Sequence, residues 1–225
     1  MTSDELLDYF RLQIFDTVEP YLWSDEEAYR FMDDAYFQFA RLTGGIADYT
    51  SDVTVVDALL GEEFSDLDPS ILTVRKAYRA DQREIQVVNA ENLPVAGETD
   101  YGLVSSHPMD TTTGPLRALV IGLEPDKVRW IPIPAADEKV KLLVYRLPLE
   151  HIKEDGQEFT DVKEQHHIHL VERMKELAYL KMDQETYDPQ KAQDCGARFR
   201  QYCDQVKREW DRSKHKPRLM AYGGL

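Results

Sequence analysis

The chain has 225 residues, enough for one substantial domain or two small ones, and 42% of them are hydrophobic, as in ordinary folded proteins. A net charge of −15 and a pI near 4.8 make general nucleic-acid binding a poor match, because neutralising phosphates requires lysine and arginine. The acidic N-terminal sequence MTSDELLDYF is unlike a signal peptide, and no apolar run approaches the roughly 20 residues of a membrane span.

Two helices are predicted before residue 45. Thr2 and Glu5 have the spacing of a capping box, and so do Ser24 and Glu27, which indicates a helix start at each place. Pro20 is predicted to end the first helix, and two glycines after residue 43 to end the second. The apolar stripe of the first helix is Leu7, Phe10, Ile14 and Val18, and that of the second is Ala28, Phe31, Met32, Ala35, Phe39 and Leu42.

The hydrophobic period changes to two between about residues 46 and 152, which indicates short strands separated by turns. Seven such strands within about a hundred residues are typical of a small antiparallel sandwich or barrel. The predicted strands are VTVV, ILTVRKAY, IQVV, YGLV, LRALVIGL, KVRWIPIP and KVKLLVYRLP.

Helical spacing returns at Asp161, with Glu164 at the third position, and again at Asp188, which is the predicted cap of a last helix.

Cys195 and Cys203 lie on the apolar stripe of that last helix. Eight residues of helix separate them by about 12 Å, too far for a disulfide, so a reducing compartment such as the cytoplasm is expected.

The predicted fold class is α+β, with an antiparallel β domain inserted into a four-helix bundle. Two helical pairs far apart in sequence each have one apolar face, and these faces are expected to cover one another. The expected boundaries are residues 1–45 and 158–212 for the bundle, 46–157 for the inserted domain, and 213–225 for an extended C-terminal arm.

Charge is distributed unevenly along the chain. Residues 196–225 contain eight lysines and arginines against three acids, a net charge of +5, whereas the rest of the chain carries −20. A basic end on an acidic body suggests that the C-terminal segment meets an acidic partner, although a merely solvated terminus would have the same composition.

Half of the six histidines lie in the segment EQHHIHL, at positions 166, 167 and 169. The segment lacks the HExxH spacing of zinc proteases, and no cysteine nearby supplies a third ligand. The residues favour a core-edge His167 and two histidines that are exposed or at an interface. Because nucleophile elbows, P-loops and dinucleotide fingerprints are also missing, the sequence predicts no catalytic residue, metal site or cofactor.

Both ends of the chain resemble the head-to-tail adaptor (connector) proteins of tailed bacteriophages. The similar segments are LLDYFRLQIFDTVEPYLWSDEEAYRFMDDAYFQFARLT near the N-terminus, LLVYRLPLEHI, and HHIHLVERMKELAYLKMDQETYDPQKAQDCGARF. Within the last of these, His167, the pair Ala178–Tyr179 and the turn 183–188 match the pattern of the family. The β region resembles the family only in topology.

The resemblance implies a virion protein at the head–tail junction rather than an enzyme. It implies a ring, typically of twelve copies, between the portal and the tail nozzle, with the bundle docked on the portal and the β domain facing the tail nozzle. The net charge of each copy would give such a ring a negative channel for the passage of DNA. His166, His169 and Trp23 would lie at the subunit interface. The residues expected to bind the portal are Arg212, Lys214, Lys216, Pro217, Arg218, Leu219, Met220 and Tyr222.

Two other functions remain open at this point. One is a metal-dependent hydrolase associated with the phage particle, which would use the histidine segment. The other is a structural protein at a different place, either for tail completion or for capsid stabilisation.

Overall fold

The computed structural model describes residues 1–92, 112–182 and 186–214, and the chain divides into two compact units. The helical unit consists of Met1–Gly44 and Pro148–Leu225, and the β unit is Gly45–Leu147. The α+β class predicted from the sequence is confirmed. Residues 148–157, which the sequence assigned to the inserted domain, belong to the helical unit.

The first two helices begin where the sequence predicted. Helix α1 is Ser3–Ile14 and α2 is Asp25–Thr43, and both capping boxes are formed, by Thr2 with Glu5 and by Ser24 with Glu27. Each box satisfies N–H groups that a helix start leaves unpaired. Gly44 ends α2 in the left-handed conformation, at φ 94°.

Helix α1 ends earlier than its apolar stripe predicted. Phe15 adopts the left-handed conformation with φ 60°, and the N–H of Asp16 donates to the carbonyl of Arg11 at 3.0 Å. This closes the helix at Ile14, six residues before Pro20. Val18, predicted to continue the buried stripe, lies outside the helix and is 76% exposed.

The third helix also differs from its predicted start. A 3₁₀ turn covers Glu164–His166, and α3 is His167–Leu180, so Asp161 does not cap it. The N–H of Asp161 instead donates to the Tyr36 hydroxyl at 3.2 Å, which attaches this segment to α2. Helix α4 is Pro189–Lys214, and Asp188 caps it as predicted by accepting the N–H of Lys191 at 3.0 Å.

The four helices share one hydrophobic core. Helix α3 packs against α1, α2 and α4, and α2 also packs against α4. Fully buried side chains at this core include Leu6, Phe10, Met32, Phe39, Leu170, Met174 and Phe199. Both cysteines, Cys195 and Cys203, are buried free thiols, as the sequence predicted.

The β unit contains one large sheet and one two-stranded pair. Its described strands are β1 Ile46–Asp48, β2 Val55–Ala58, β3 Phe64–Asp66, β4 Ile71–Tyr78, β5 Glu84–Asn89, β6 Thr113–Gly114, β7 Ala118–Ile121, β8 Lys127–Ile131, β9 Ile133–Pro134 and β10 Glu138–Arg146. The order in the large sheet is β1-β10-β4-β5-β7-β8-β3, with β2 also paired to β10; β6 pairs with β9. The Ser65 hydroxyl of β3 donates to the Asp57 carbonyl of β2 at 2.7 Å, so the sheet curls until its ends meet.

The sheet is mixed, and the prediction of a purely antiparallel domain was wrong. Strands β5 and β7 are parallel, with Gln86 opposite Ala118, and β6 and β9 are also parallel. A connection of more than 25 residues separates β5 from β7, which is the length that a parallel crossover needs and a hairpin does not. The predicted strand YGLV falls outside the described residues.

Candidate functional site

The helical unit exposes a group of large apolar side chains at one end. Phe15 is 92% exposed and Met182 is 93% exposed, in contrast to the buried core between the helices. We call this group the apolar tip; its members are Leu12, Phe15, Val18, Leu22, Leu180, Met182 and Tyr187. Large apolar side chains that are grouped at one end of a unit and exposed to this degree mark a contact with another macromolecule.

Two segments of the chain contribute to the tip and are held side by side. One is the link between α1 and α2, and the other is the turn after α3. The indole N–H of Trp23 donates to the Ala178 carbonyl at 3.3 Å, and Lys181 forms an ion pair with Glu27 at 2.7 Å. These contacts place the exposed ends of both segments at the same end of the helical unit.

The link between α1 and α2 has its polar groups turned inward. The Arg11 guanidinium donates to Asp16 at 3.0 Å, and both side chains are more than 90% buried. Asp16 also accepts the N–H of Leu22 at 2.9 Å, and Arg11 donates to the Trp23 carbonyl at 3.2 Å. The link is therefore held in one shape from inside while its apolar side chains face outward.

Trp23, assigned to a subunit interface from the sequence, lies in the core of its own subunit. It is 2% exposed, and its ring contacts that of Phe10 at a centroid distance of 6.5 Å. The indole that was expected to meet a neighbouring copy is thus covered by α1 and α3.

The three histidines occupy the region where the 3₁₀ turn and α3 meet α4. His166 is 2% exposed and its Nδ1 lies 2.9 Å from the Tyr202 hydroxyl. The prediction of two exposed or interface histidines is therefore corrected for His166, because α4 covers it. His167 is a core-edge residue, as predicted, and its Nε2–H donates to the Val162 carbonyl at 2.8 Å. His169 is partly exposed and stacks on Tyr202 with ring centroids 3.5 Å apart.

Burial lowers the pKa of all three histidines below its ordinary value. The imidazolium form loses hydration in this region, and no carboxylate among the described residues bonds to the rings in compensation. For His166, the positive charge of His169 and Lys163 adds to the effect, while Glu209 opposes it. The neutral forms are therefore the ones that fit the packed helices.

Mild acid should weaken the helical unit. Below about pH 6.5 the histidines of the unfolded chain bind protons that the buried histidines of the folded chain do not bind. The free energy of unfolding is therefore highest above that pH. It decreases as the pH falls, by about 1.4 kcal/mol per pH unit for each proton that only the unfolded chain binds. Urea unfolding at pH 7 and pH 5.5, followed by tryptophan fluorescence, measures the slope. His166→Gln should reduce it, and a slope equal to that of the parent chain would contradict this assignment.

Ion pairs connect α3 to α4 beside the histidines. Glu172 accepts from Lys175 and from Arg198, each at 2.7 Å. Glu176, which is 8% exposed, accepts from Arg173 at 2.8 Å and from Arg200 at 3.4 Å. The carboxylate of Glu176 lies directly on the backbone of Gly196, where any Cβ would overlap it.

Gly196→Ala should destabilise the helical unit by about 1–2 kcal/mol, although alanine is the better helix former by about 1 kcal/mol at an open position. The added methyl group displaces Glu176 from its two arginines. Thermal unfolding measures the change, and Ala197→Gly, at the exposed neighbouring position, is the control for propensity alone. A stabilised Gly196→Ala variant would show that the carboxylate moves freely.

A family model described as SU10 adaptor protein matches residues 1–219, which include both the helical unit and the β unit. The chain belongs to the SU10 adaptor protein family. No curated protein matches it. The resemblance to tailed-phage head-to-tail adaptors, carried in the sequence by the two ends, is confirmed and extends through the β region.

The SU10 adaptor family is a family of bacteriophage structural proteins, so the chain is a structural protein of a phage particle that interacts with other head or tail proteins. The family is not an enzymatic one. Within residues 1–92, 112–182 and 186–214, no three His, Cys, Asp or Glu side chains converge as a metal-binding group. Of the helices in those ranges, none combines the length and the hydropathy that a membrane span requires.

The predicted portal-binding residues fall mostly outside the described part of this SU10 adaptor. Arg212 is exposed near the end of α4, and Lys214 is the last residue of that helix. The others lie beyond it: Lys216, Pro217, Arg218, Leu219, Met220 and Tyr222. The sequence did not indicate the apolar tip, because Val18 continues the spacing of the buried residues Phe10 and Ile14 and nothing local shows that the helix ends before it.

Proposed function

We propose that the protein is the head-to-tail adaptor of a tailed phage and forms a ring of twelve copies between the portal and the tail nozzle. The observation that carries this proposal is the family match over residues 1–219. A closed ring requires head-to-tail contacts between two different surfaces of each copy, and the apolar tip is one surface that needs a partner.

We further propose that the two units bind different partners. The helical unit, as a four-helix bundle, docks on the portal, and the β unit faces the tail nozzle. The C-terminal segment carries Arg212, Lys214, Lys216 and Arg218 without an acid after Asp211, which suits an acidic groove. Pro217, Leu219, Met220 and Tyr222 supply the apolar contacts that interface centres favour.

The interface role proposed for the histidine region now rests on His169. It is partly exposed beside Tyr202 and can meet a neighbouring copy directly, whereas His166 and Trp23 would support such a contact from within the subunit. The net charge of −15 per copy would give the ring a negative channel, along which DNA passes without adhering.

Deletion of residues 213–225 tests the proposal. The truncated chain should keep the far-ultraviolet circular dichroism and thermal unfolding of the parent, because it retains α4 through Arg212. Its binding to purified portal rings, measured by cosedimentation, should fall at least tenfold. Undiminished binding would refute the role of the segment, and a chain missing from the portal vertex in electron micrographs of particles would refute the adaptor function and favour tail completion or capsid stabilisation.

A further inference from the structure

The side of the apolar tip that the link between α1 and α2 forms is held in one shape by contacts within the chain. Asp16 and Arg11 hold the link between α1 and α2 from inside, and Arg11 also stacks on Tyr21 with its guanidinium 3.6 Å from the ring centroid. A surface that is already ordered loses little entropy on binding, so such a site can take even a short peptide segment.

Phe15 raises the free energy of the folded state at its position. It adopts φ 60°, a conformation that glycine and asparagine tolerate and bulky residues rarely adopt, and its ring is 92% exposed. The left-handed conformation ends α1, but a phenylalanine side chain makes it less favourable than glycine or asparagine would, and the exposed ring adds nothing to the core. A side chain kept under these conditions is typical of a contact residue, where local strain serves binding.

The charge around the tip selects a basic partner. From Asp8 to Glu26 the chain has four exposed acids, Asp8, Glu19, Asp25 and Glu26, whereas its single base, Arg11, is buried together with Asp16. The complementary composition occurs in the same chain. From Arg212 to the C-terminus there are four lysines and arginines, no acidic side chain, and four large apolar residues, Leu219, Met220, Tyr222 and Leu225.

The C-terminal segment cannot reach the tip of its own subunit. Helix α4 begins beside the tip, where the N–H of Asp188 donates to the Tyr179 carbonyl at 3.0 Å, and it ends past Trp210, whose ring contacts His166 before the start of α3. Its 26 residues carry Lys214 about 37 Å from the tip. Leu219 and Tyr222, five and eight residues further on, extend back by at most about 17–28 Å.

We propose that the apolar tip binds the C-terminal segment of a neighbouring copy. The basic residues of that segment meet the acidic rim, and Leu219, Met220 and Tyr222 pack on Phe15 and Met182. The contact joins the tip of one subunit to the C-terminal segment of another copy that has not yet docked on the portal. It rests on the proposed adaptor function in one respect: the portal takes the same segment, so docking on the portal releases it from the tip.

A synthetic peptide of residues 212–225 tests the contact. A fluorescent form is titrated with the chain that lacks residues 213–225, and its anisotropy is measured. We expect saturable binding that weakens as the salt concentration rises, since the rim contacts are ionic. Phe15→Asn together with Met182→Ser should weaken binding at least tenfold, whereas Leu60→Ser, at an exposed leucine of the β unit, should leave it unchanged.

The Phe15→Asn variant is expected to fold, because asparagine suits its backbone conformation; its melting temperature should rise by about 2–4 °C. Absent binding of the peptide, or equal binding by the tip variant and the Leu60→Ser variant, would overturn the proposal. In that case undiminished docking of the full chain on the portal would leave the adaptor function standing. Loss of portal docking by the parent chain would count against the adaptor function itself.

Discussion

Asp16→Ala is expected to destabilise the helical unit by about 3–5 kcal/mol, because it leaves the buried Arg11 guanidinium without its buried counter-charge. The same carboxylate accepts the backbone N–H groups of Leu22 and Trp23, so the substitution also removes the acceptor of two backbone donors in the link. Urea unfolding followed by tryptophan fluorescence measures the loss, and the indole of Trp23 reports on the link itself.

Asp8→Ala is the matched control for this variant. Asp8 is an exposed acid of α1, the helix that precedes the link, and its removal should change the free energy of unfolding by less than about 0.5 kcal/mol. Asp16→Asn keeps the size of the side chain and one acceptor oxygen while it removes the charge, so its loss should be smaller than that of the alanine variant. Equal, small losses in all three variants would show that Arg11 is paired adequately by Asp25 alone.

The starts of three helices could be predicted because the signals are local. Thr2 with Glu5, Ser24 with Glu27, and Asp188 before Pro189 each satisfy N–H groups within one turn, and the structure forms all three caps. The start of α3 was missed because Asp161 has the composition of a cap but bonds through its N–H to Tyr36, 125 positions earlier in the chain.

The site was less predictable than the helix starts because its contacts join residues that are far apart in the chain. Arg11 and Asp16 look like ordinary surface residues of an acidic helix, and only the fold of the link buries them against Trp23. His166 is covered by Tyr202 and Trp210 of α4, at least 36 residues away, and neither residue type nor spacing indicates that contact. Burial that depends on distant segments leaves no local pattern in the sequence.

The two units should respond differently to acid. In the helical unit the titrating groups are neutral histidines, so its stability declines from about pH 6.5 downward. In the β unit the corresponding group is Asp48. Burial by itself raises the pKa of Asp48, but hydrogen bonds from Ser51 and Arg146 outweigh it, and the pKa lies well below its usual range. The stability that this carboxylate contributes is present above about pH 4 and is lost as the pH falls further.

Asp48→Ala should therefore destabilise the β unit by about 3 kcal/mol at pH 7. Its carboxylate, 5% exposed, is paired with Arg146 of β10 and accepts the N–H groups of Thr50 and Ser51. It therefore links the turn after β1 to β10, the strand with which β1, β2 and β4 all pair. Hydrogen exchange of the β10 amides measures the loss within this unit.

The control for Asp48→Ala is Asp57→Ala, at an exposed acid of β2. This substitution should change the free energy of opening that exchange of the β10 amides reports by less than about 0.5 kcal/mol. Amides of α2 and α3 serve as the internal reference. If the β10 amides exchange faster in Asp48→Ala while those of the helices do not, the ion pair stabilises the β unit on its own. Equal acceleration in both units would mean that they unfold as one, and the separate acid responses expected from the histidines and from Asp48 would then merge into a single transition.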